Sequence, residues 1–236
     1  MMQFGNLRID QAFTAGQSED SIEDEYISKM LLRWEGTAGT DGPNMAELKA
    51  AWINARLIKG GKETILYDMS LWDLLALTDF NGGFACGFST SARMQYGNIV
   101  MPFGLDLTAG GGGGHLEFRF LRPTTVADTT FSMFSMNDGS RPGTLRYRTM
   151  TTLGTAAYES VYKLYSRDET DASSNIKIGT DKIKPIYHKM GRIALQEWAA
   201  VESASLFGQL VSQDTPGPVL VYPTNTLTLI SVESIG

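Results

Sequence analysis

One cysteine and two histidines are all that this chain of 236 residues has of thiol and imidazole metal ligands. A lone Cys86 excludes an internal disulfide and any zinc or iron–sulfur site built from several cysteines. His115 and His188 lie far apart, so no local histidine metal motif exists. Basic residues are also in deficit, 20 Lys and Arg against 26 Asp and Glu, for a net charge of −6. Binding to nucleic acid needs clustered cations to neutralise phosphates, so no direct nucleic-acid partner is expected. No apolar run approaches the roughly 20 residues that span a bilayer as a helix. Residues Met1 to Asp10 lack a basic start and an apolar core, and read as no secretory leader.

What is present is globular: 42% apolar and 19% charged residues, enough for a real core at this length. Twenty-five Gly and nine Tyr, with abundant Thr and Ser, tilt the composition toward strands and turns. Strands are expected at Tyr26–Trp34, Trp52–Ile58, Glu63–Met69, Ile99–Phe103, Thr130–Met136 and Tyr158–Tyr165. Val219–Val232 is expected to be two more, turning at Tyr222-Pro223-Thr224-Asn225. His115–Leu121 alternates most cleanly, with Leu116, Phe118 and Phe120 on one face and Glu117 and Arg119 on the other. Gly60-Gly61 between two β-prone runs signals a tight hairpin, and Pro102 suits a strand edge or end. Leu71, Leu74, Leu75 and Leu77 recur at helical spacing behind Ser70 and Asp73, which predicts one short helix near 70–81 with a capped start. Ile186–Leu210 has a looser helical pattern. Gly36–Asn44, Phe84–Gln95 and Gln213–Pro218 read as loops or breaks.

Motifs that carry chemistry are few. The glycine run Gly110–Gly114 lacks the Lys-Ser/Thr pair of a phosphate loop and precedes a strand, so it reads as a loop between strands. No G-x-S-x-G nucleophile elbow occurs, and His115 reads as a structural histidine. Cys86 lies in Phe-Ala-Cys-Gly-Phe with no cationic neighbour and reads as a small buried apolar residue. Glu19, Asp20, Glu23, Asp24 and Glu25 form an acidic run, expected to be a solvated turn; calcium is the alternative, although the spacing is not that of an EF-hand loop. Arg141, Arg146 and Arg148 are the densest basic stretch; Arg146 and Arg148 share a strand face, either solvated or set against the Glu19–Glu25 run of another copy. No catalytic, cofactor-binding or metal residue is assigned, and no enzyme activity is expected. Glycosidase carboxylates leave no signature, so a β-rich hydrolase stays a third reading.

Short strands, one helix and many turns describe an antiparallel sandwich or jelly roll. Residues 52–83, from Trp52-Ile53-Asn54 through Leu71-Trp72-Asp73-Leu74-Leu75 to Asn81-Gly82-Gly83, resemble the hairpin, short helix and glycine end of a known coat domain. Leu31-Leu32-Arg33-Trp34-Glu35-Gly36, Ile99-Val100-Met101-Pro102-Phe103-Gly104, Leu116–Leu121, and Leu153-Gly154-Thr155 followed by Tyr158–Tyr165 fit further strands of it. That domain belongs to the jelly-roll major capsid proteins of tailless, membrane-containing icosahedral bacteriophages of the corticovirus type. The resemblance covers about residues 25–170. It implies a structural virion subunit that assembles with itself and other virion proteins into a shell, with contact to a viral membrane. The family carries two jelly rolls and forms pseudo-hexameric trimers, but only about 65 residues follow here. A reduced second β domain, a clasping arm and a single-jelly-roll coat protein all remain open. The expected organisation is an N-terminal segment 1–24, a jelly roll 25–170 and a C-terminal extension 171–236. The alternative function is a carbohydrate- or receptor-binding β-sandwich, which requires Trp and Tyr exposed on one face.

Overall fold

A computed structural model of the chain describes residues 3–23, 25–36, 42–80, 84–88, 93–108, 113–140, 143–152, 156–168, 176–178, 182–183, 187–189, 207–223 and 227–235. The chain divides into two compact units, Met1–Thr144 and Leu145–Gly236. This division falls inside the stretch expected to be one jelly roll, and the first unit includes the segment expected to precede it.

The first unit contains β1 (Gln3–Ala12), β2 (Gly16–Glu23), β3 (Tyr26–Gly36), α1 (Met45–Ala50), β4 (Trp52–Lys59), β5 (Lys62–Ser70), α2 (Leu71–Phe80), β6 (Phe84–Phe88), β7 (Met94–Asp106), β8 (His115–Arg122) and β9 (Thr129–Asn137). One sheet has the order β1-β9-β3-β7-β6 and the other β2-β8-β4-β5, with every pairing antiparallel. With β6 set aside, the first strand pairs with the last, the second with the second-last, and so inward to the β4–β5 hairpin. A long hairpin rolled upon itself gives this order, which is the antiparallel jelly roll expected from the sequence.

Alternation drives the packing. Leu116, Phe118 and Phe120 of β8 point inward, as predicted, opposite Met30, Leu32 and Trp34 of β3 and Phe131 and Met133 of β9 in the facing sheet; all are buried. Aromatic rings bridge the sheets: Phe120 stacks on Phe131 with centroids 4.0 Å apart, and Phe103 of β7 lies 4.9 Å from Tyr67 and 5.8 Å from Phe118. Such contacts add to the burial of area itself.

Turn and cap chemistry follow the sequence. Gly60 and Gly61 have φ of 57° and 74°, the doubly positive turn that suits a two-residue hairpin. The Asp73 N–H donates to the Ser70 hydroxyl at 3.1 Å, and that hydroxyl donates to the Asp73 carboxylate at 2.7 Å, closing the start of α2. α1 was not foreseen; Asn44 and Glu47 form a complete capping box over its single buried face, Met45 and Leu48.

Several expectations are corrected. The first three members of the acidic run are strand and not turn: Glu19, Asp20 and Glu23 lie on β2, whose Ser18 and Ile22 are buried against the core, and Asp24 lies outside the described residues. Pairing with β8 supplies the β structure that its polar sequence hides. Phe84–Phe88 and Met94–Gln95 are strand, not loop: β6 pairs with the start of β7, Phe84 opposite Ile99 and Phe88 opposite Met94. Pro102 lies within β7 but past the reach of β6, beside a bulge opposite Ile27–Lys29, so its missing N–H breaks no ladder bond on that side.

The second unit is a sheet of β10 (Leu145–Thr152), β16 (Leu227–Ser234), β11 (Ala156–Asp168), β15 (Phe207–Pro223), β12 (Ile176–Ile178) and β13 (Lys182–Ile183) in that order, with β14 (Tyr187–Lys189) also on β15. The expected break at Gln213–Pro218 sits inside β15, where the pairing jumps from Ser212 to Gly217 and bulges out the residues between. Part of the expected Ile186–Leu210 helix is strand: Tyr187–Lys189 pairs with Phe207–Gln209. Residues 190–206 lie outside the described residues, as do Asn81–Gly83 and Leu153–Thr155.

The turn after β9 is held electrostatically. Lys29 Nζ lies 2.5 Å from Asp138, and Asp138 also accepts from Ser140. The Lys29 ammonium, then Ser140 and Ser28, hold the Asp138 carboxyl well below the usual carboxylate range. A depressed folded pKa contributes stability above the unfolded value of about 3.9 and loses it as pH falls below that. Asp138→Asn is therefore expected to be less stable than wild type at pH 7. The gap between their urea midpoints should narrow steadily below about pH 4. A gap independent of pH would remove this assignment.

Candidate assembly surface

The outer face of the β2-β8-β4-β5 sheet is built from register. Leu121 on β8 lies directly opposite Trp52 on β4, and next to Gln17 on β2. Both apolar side chains stay open, Leu121 at 45% and Trp52 at 38% exposure, and Ile65 on β5 at 46%. The Trp52 indole N–H donates to Asp68 at 2.7 Å, and the Asn54 amide donates to the same oxygen at 3.2 Å. The ring is thereby fixed with its apolar surface still facing solvent. Around it run ion pairs, Arg119 with Glu19 at 3.3 Å and Arg56 with Glu63 at 3.3 Å. Exposed pairs of this kind are individually weak.

The other sheet carries a second apolar feature on its outer face. Leu7, Phe134, Leu31 and Val100 stand in one cross-strand row over β1, β9, β3 and β7. Leu7 is 48% exposed and the other three are half-buried. The next row is polar, Asp10, Ser132, Arg33 and Asn98. An outward apolar row bordered by a polar one is a feature of surfaces that meet other surfaces.

The residues singled out in the sequence fall as follows. Glu19 is taken by Arg119 and by the Gln17 amide, and Glu25 by Arg8 at 2.5 Å. Strand alternation turns Asp20 to the face opposite Glu19 and Glu23, so the carboxylates do not converge. Among the described residues no group of three or more His, Cys, Asp or Glu is placed to hold a metal ion. His115 is half-buried, with Nε2 3.5 Å from Glu117. Gly114, with φ of 119°, passes so close to the hairpin that a Cβ would lie 2.7 Å from the Ile58 carbonyl oxygen. The end of the glycine run is thus fitted to the β4–β5 tip, and strand β8 follows it, as read from the sequence. Gly110–Gly112 and Arg141 lie outside the described residues, and so do the side chains of Cys86, on β6, and His188, on β14.

Arg148 is exposed, as a solvated face requires, while Arg146 is half-buried, and both approach one carboxylate. Arg146 Nε donates to Glu233 Oε2 at 3.1 Å, and Arg148 comes within 3.8 Å of Oε1. The Glu233 side chain is 5% exposed and also accepts from Ser231 at 2.8 Å. Burial of this carboxylate requires such partners.

No protein-family profile matches the sequence, and no curated protein matches it. In three dimensions the chain is similar to a chain of the Sulfolobus Turreted Icosahedral Virus, with a TM-score of 0.51 and 13% identity over 99% of this chain and 89% of that one. It is similar also to the major capsid protein P2 from Bacteriophage PM2, with a TM-score of 0.50 and 13% identity over 99% of this chain and 96% of that one. The likeness is one of fold, and it is the fold that the sequence resemblance implied.

Proposed function

We propose that this chain is a structural virion protein, a jelly-roll coat subunit that assembles with copies of itself into an icosahedral shell. The observation that carries the reading is the rolled strand order, together with a likeness that spans nearly the whole of both chains compared. On this reading Met1–Thr144 is the shell-forming jelly roll and Leu145–Gly236 a reduced second β unit. The apolar row on one sheet and the Trp52–Leu121 pair on the other are its subunit contacts. A net charge of −6 suits a shell kept from its genome by a membrane better than one that binds nucleic acid. The carbohydrate-binding alternative requires aromatics on one face; among the residues whose side chains are described the exposed ones, Trp52 and Tyr96, lie on different sheets.

Light scattering after size exclusion, with negative-stain images of the same fractions, tests the reading. Trimers, pentamers or shells are expected. A 25.8 kDa monomer at every concentration overturns it. Trp52→Ala combined with Leu121→Ser is expected to raise the concentration for half-assembly by roughly tenfold or more while leaving the melting temperature nearly unchanged. An equal loss in assembly and in melting would place the pair in the fold and not in a contact.

A further inference from the structure

The two sheets of the first unit leave four strands at their edges. An open edge is a template for another chain. Three of the four are poor templates for a second copy. Strand β1 is broken by two register shifts, and β6 is five residues long. Strand β2 offers Asp20 and Glu23 and no basic residue, so two copies of it repel. Strand β5 is the exception. It runs nine residues, pairs with β4 on one side alone, and carries both signs of charge.

Three exposed side chains stand at equal spacing along β5: Lys62, Ile65 and Asp68. Lys62 has no hydrogen-bond or ion-pair partner among the described residues. Asp68 accepts from the Trp52 indole and the Asn54 amide, both neutral donors, so its negative charge stays unmatched. Two copies of β5 set antiparallel about Ile65 bring each Lys62 opposite the other copy's Asp68, with the two isoleucines between. The bulge at Leu66 takes up one residue on the Asp68 side, a step of about 3.3 Å that the long Lys62 stem spans. The same bulge keeps the two edges from running on as one unbroken ladder, so side chains carry the contact.

We propose that β5 is a self-complementary contact: two copies meet edge to edge about a two-fold axis at Ile65, with Lys62 of each facing Asp68 of the other. This rests on the coat-subunit reading and adds to it the residues and the symmetry of one contact. The same patch serves on both copies, so the contact closes at two. An icosahedral shell contains two-fold axes, and a contact of this kind sits on one. Asp68 also fixes Trp52, so the edge adjoins the Trp52–Leu121 pair on the outer face.

Charge exchange in the full chain tests it. Lys62→Glu alone and Asp68→Lys alone each turn two attractions into two repulsions. Each is expected to raise the concentration for half-assembly by roughly tenfold or more, read by light scattering. The double variant should return it to near the wild-type value. So should an equal mixture of the two single variants, because unlike chains restore both pairs. Circular dichroism and thermal melting accompany each variant. Where a reversal lowers the melting temperature, Lys62→Gln and Asp68→Asn replace it, and the asparagine still accepts from the Trp52 indole. The neutral double variant should then assemble no worse than either neutral single one, and additive losses overturn the pairing. Wild type that assembles while both reversals assemble equally well overturns this contact and leaves the coat reading standing. Single variants that fail and a double variant that also fails overturn it too. Wild type that stays monomeric removes the coat reading, and this contact with it.

Discussion

Gly97→Ala should destabilise the first unit by about 1–3 kcal/mol, from a single added methyl group. Gly97 lies on β7 directly opposite Trp34 of β3, and the indole ring crosses over it. A Cβ there would sit 2.1 Å from Trp34 Cζ2 and 2.4 Å from Cε2. The ring has little room to retreat. It is 1% exposed, and its N–H donates to the Met94 carbonyl at 3.2 Å. Relief must come from moving the two strands or from breaking that bond. Trp34→Ala should cost about 3–5 kcal/mol through the cavity it leaves. The decisive measurement is a double-mutant cycle in urea with Trp34→Leu. The clash predicts that Gly97→Ala is nearly neutral in the Trp34→Leu background, a coupling of about 1 kcal/mol or more. Additive losses would show that Gly97 serves its own backbone and not the ring.

The second large effect is expected at Arg122, which is 2% exposed at the end of β8. Its guanidinium donates to the Ser18 hydroxyl at 2.6 Å and, more weakly, to the Gln11 side chain and the Ala12 carbonyl, each at 3.4 Å. It also lies 5.3 Å over the Phe120 ring. No carboxylate pairs with it among the described residues, and burial pushes its pKa down. One side chain thus ties β8 and β2 to β1 of the facing sheet. Two effects oppose each other at this site, the cost of burying a cation and the packing and hydrogen bonds it makes. Arg122→Ala loses the second wholly and should cost about 2–4 kcal/mol. Arg122→Met keeps most of the volume and removes the desolvation cost. Ser18 and Gln11 still bond each other, hydroxyl to amide oxygen at 2.6 Å. Arg122→Met should therefore fall within about 1 kcal/mol of wild type. A methionine variant as damaged as the alanine one would show the opposite balance, with the guanidinium's hydrogen bonds outweighing its desolvation.

These two sites mark the limit of what the sequence discloses. Period-two alternation in His115–Leu121, the paired glycines of the hairpin and the Ser70–Asp73 start of α2 are local signals, and each was legible. Strand β2 was not, because its residues are those of a turn; only pairing with β8 makes it a strand. Arg146 and Glu233 are 87 positions apart, so neither residue announces the other. Alternation also tells that Trp52 and Ile53 face opposite ways without telling which one faces water. The jelly roll was reached through resemblance and element order. The two sheets also take in β1 and β2, the strands whose own sequences argue least for them.

The rolled topology also sets a timetable. Gln3 pairs with Asn137 and Ala12 with Thr130, so β1 has no partner strand until β9 has been made. In the second unit Leu145 pairs with Ser234, and β10 likewise waits for β16. Each unit is fastened by joining its earliest strand to its latest. During synthesis the β4–β5 hairpin can form at once, but the sandwich around it cannot close. Contacts of such long sequence separation make folding slow. The nascent chain thus spends most of its emergence with an edge open.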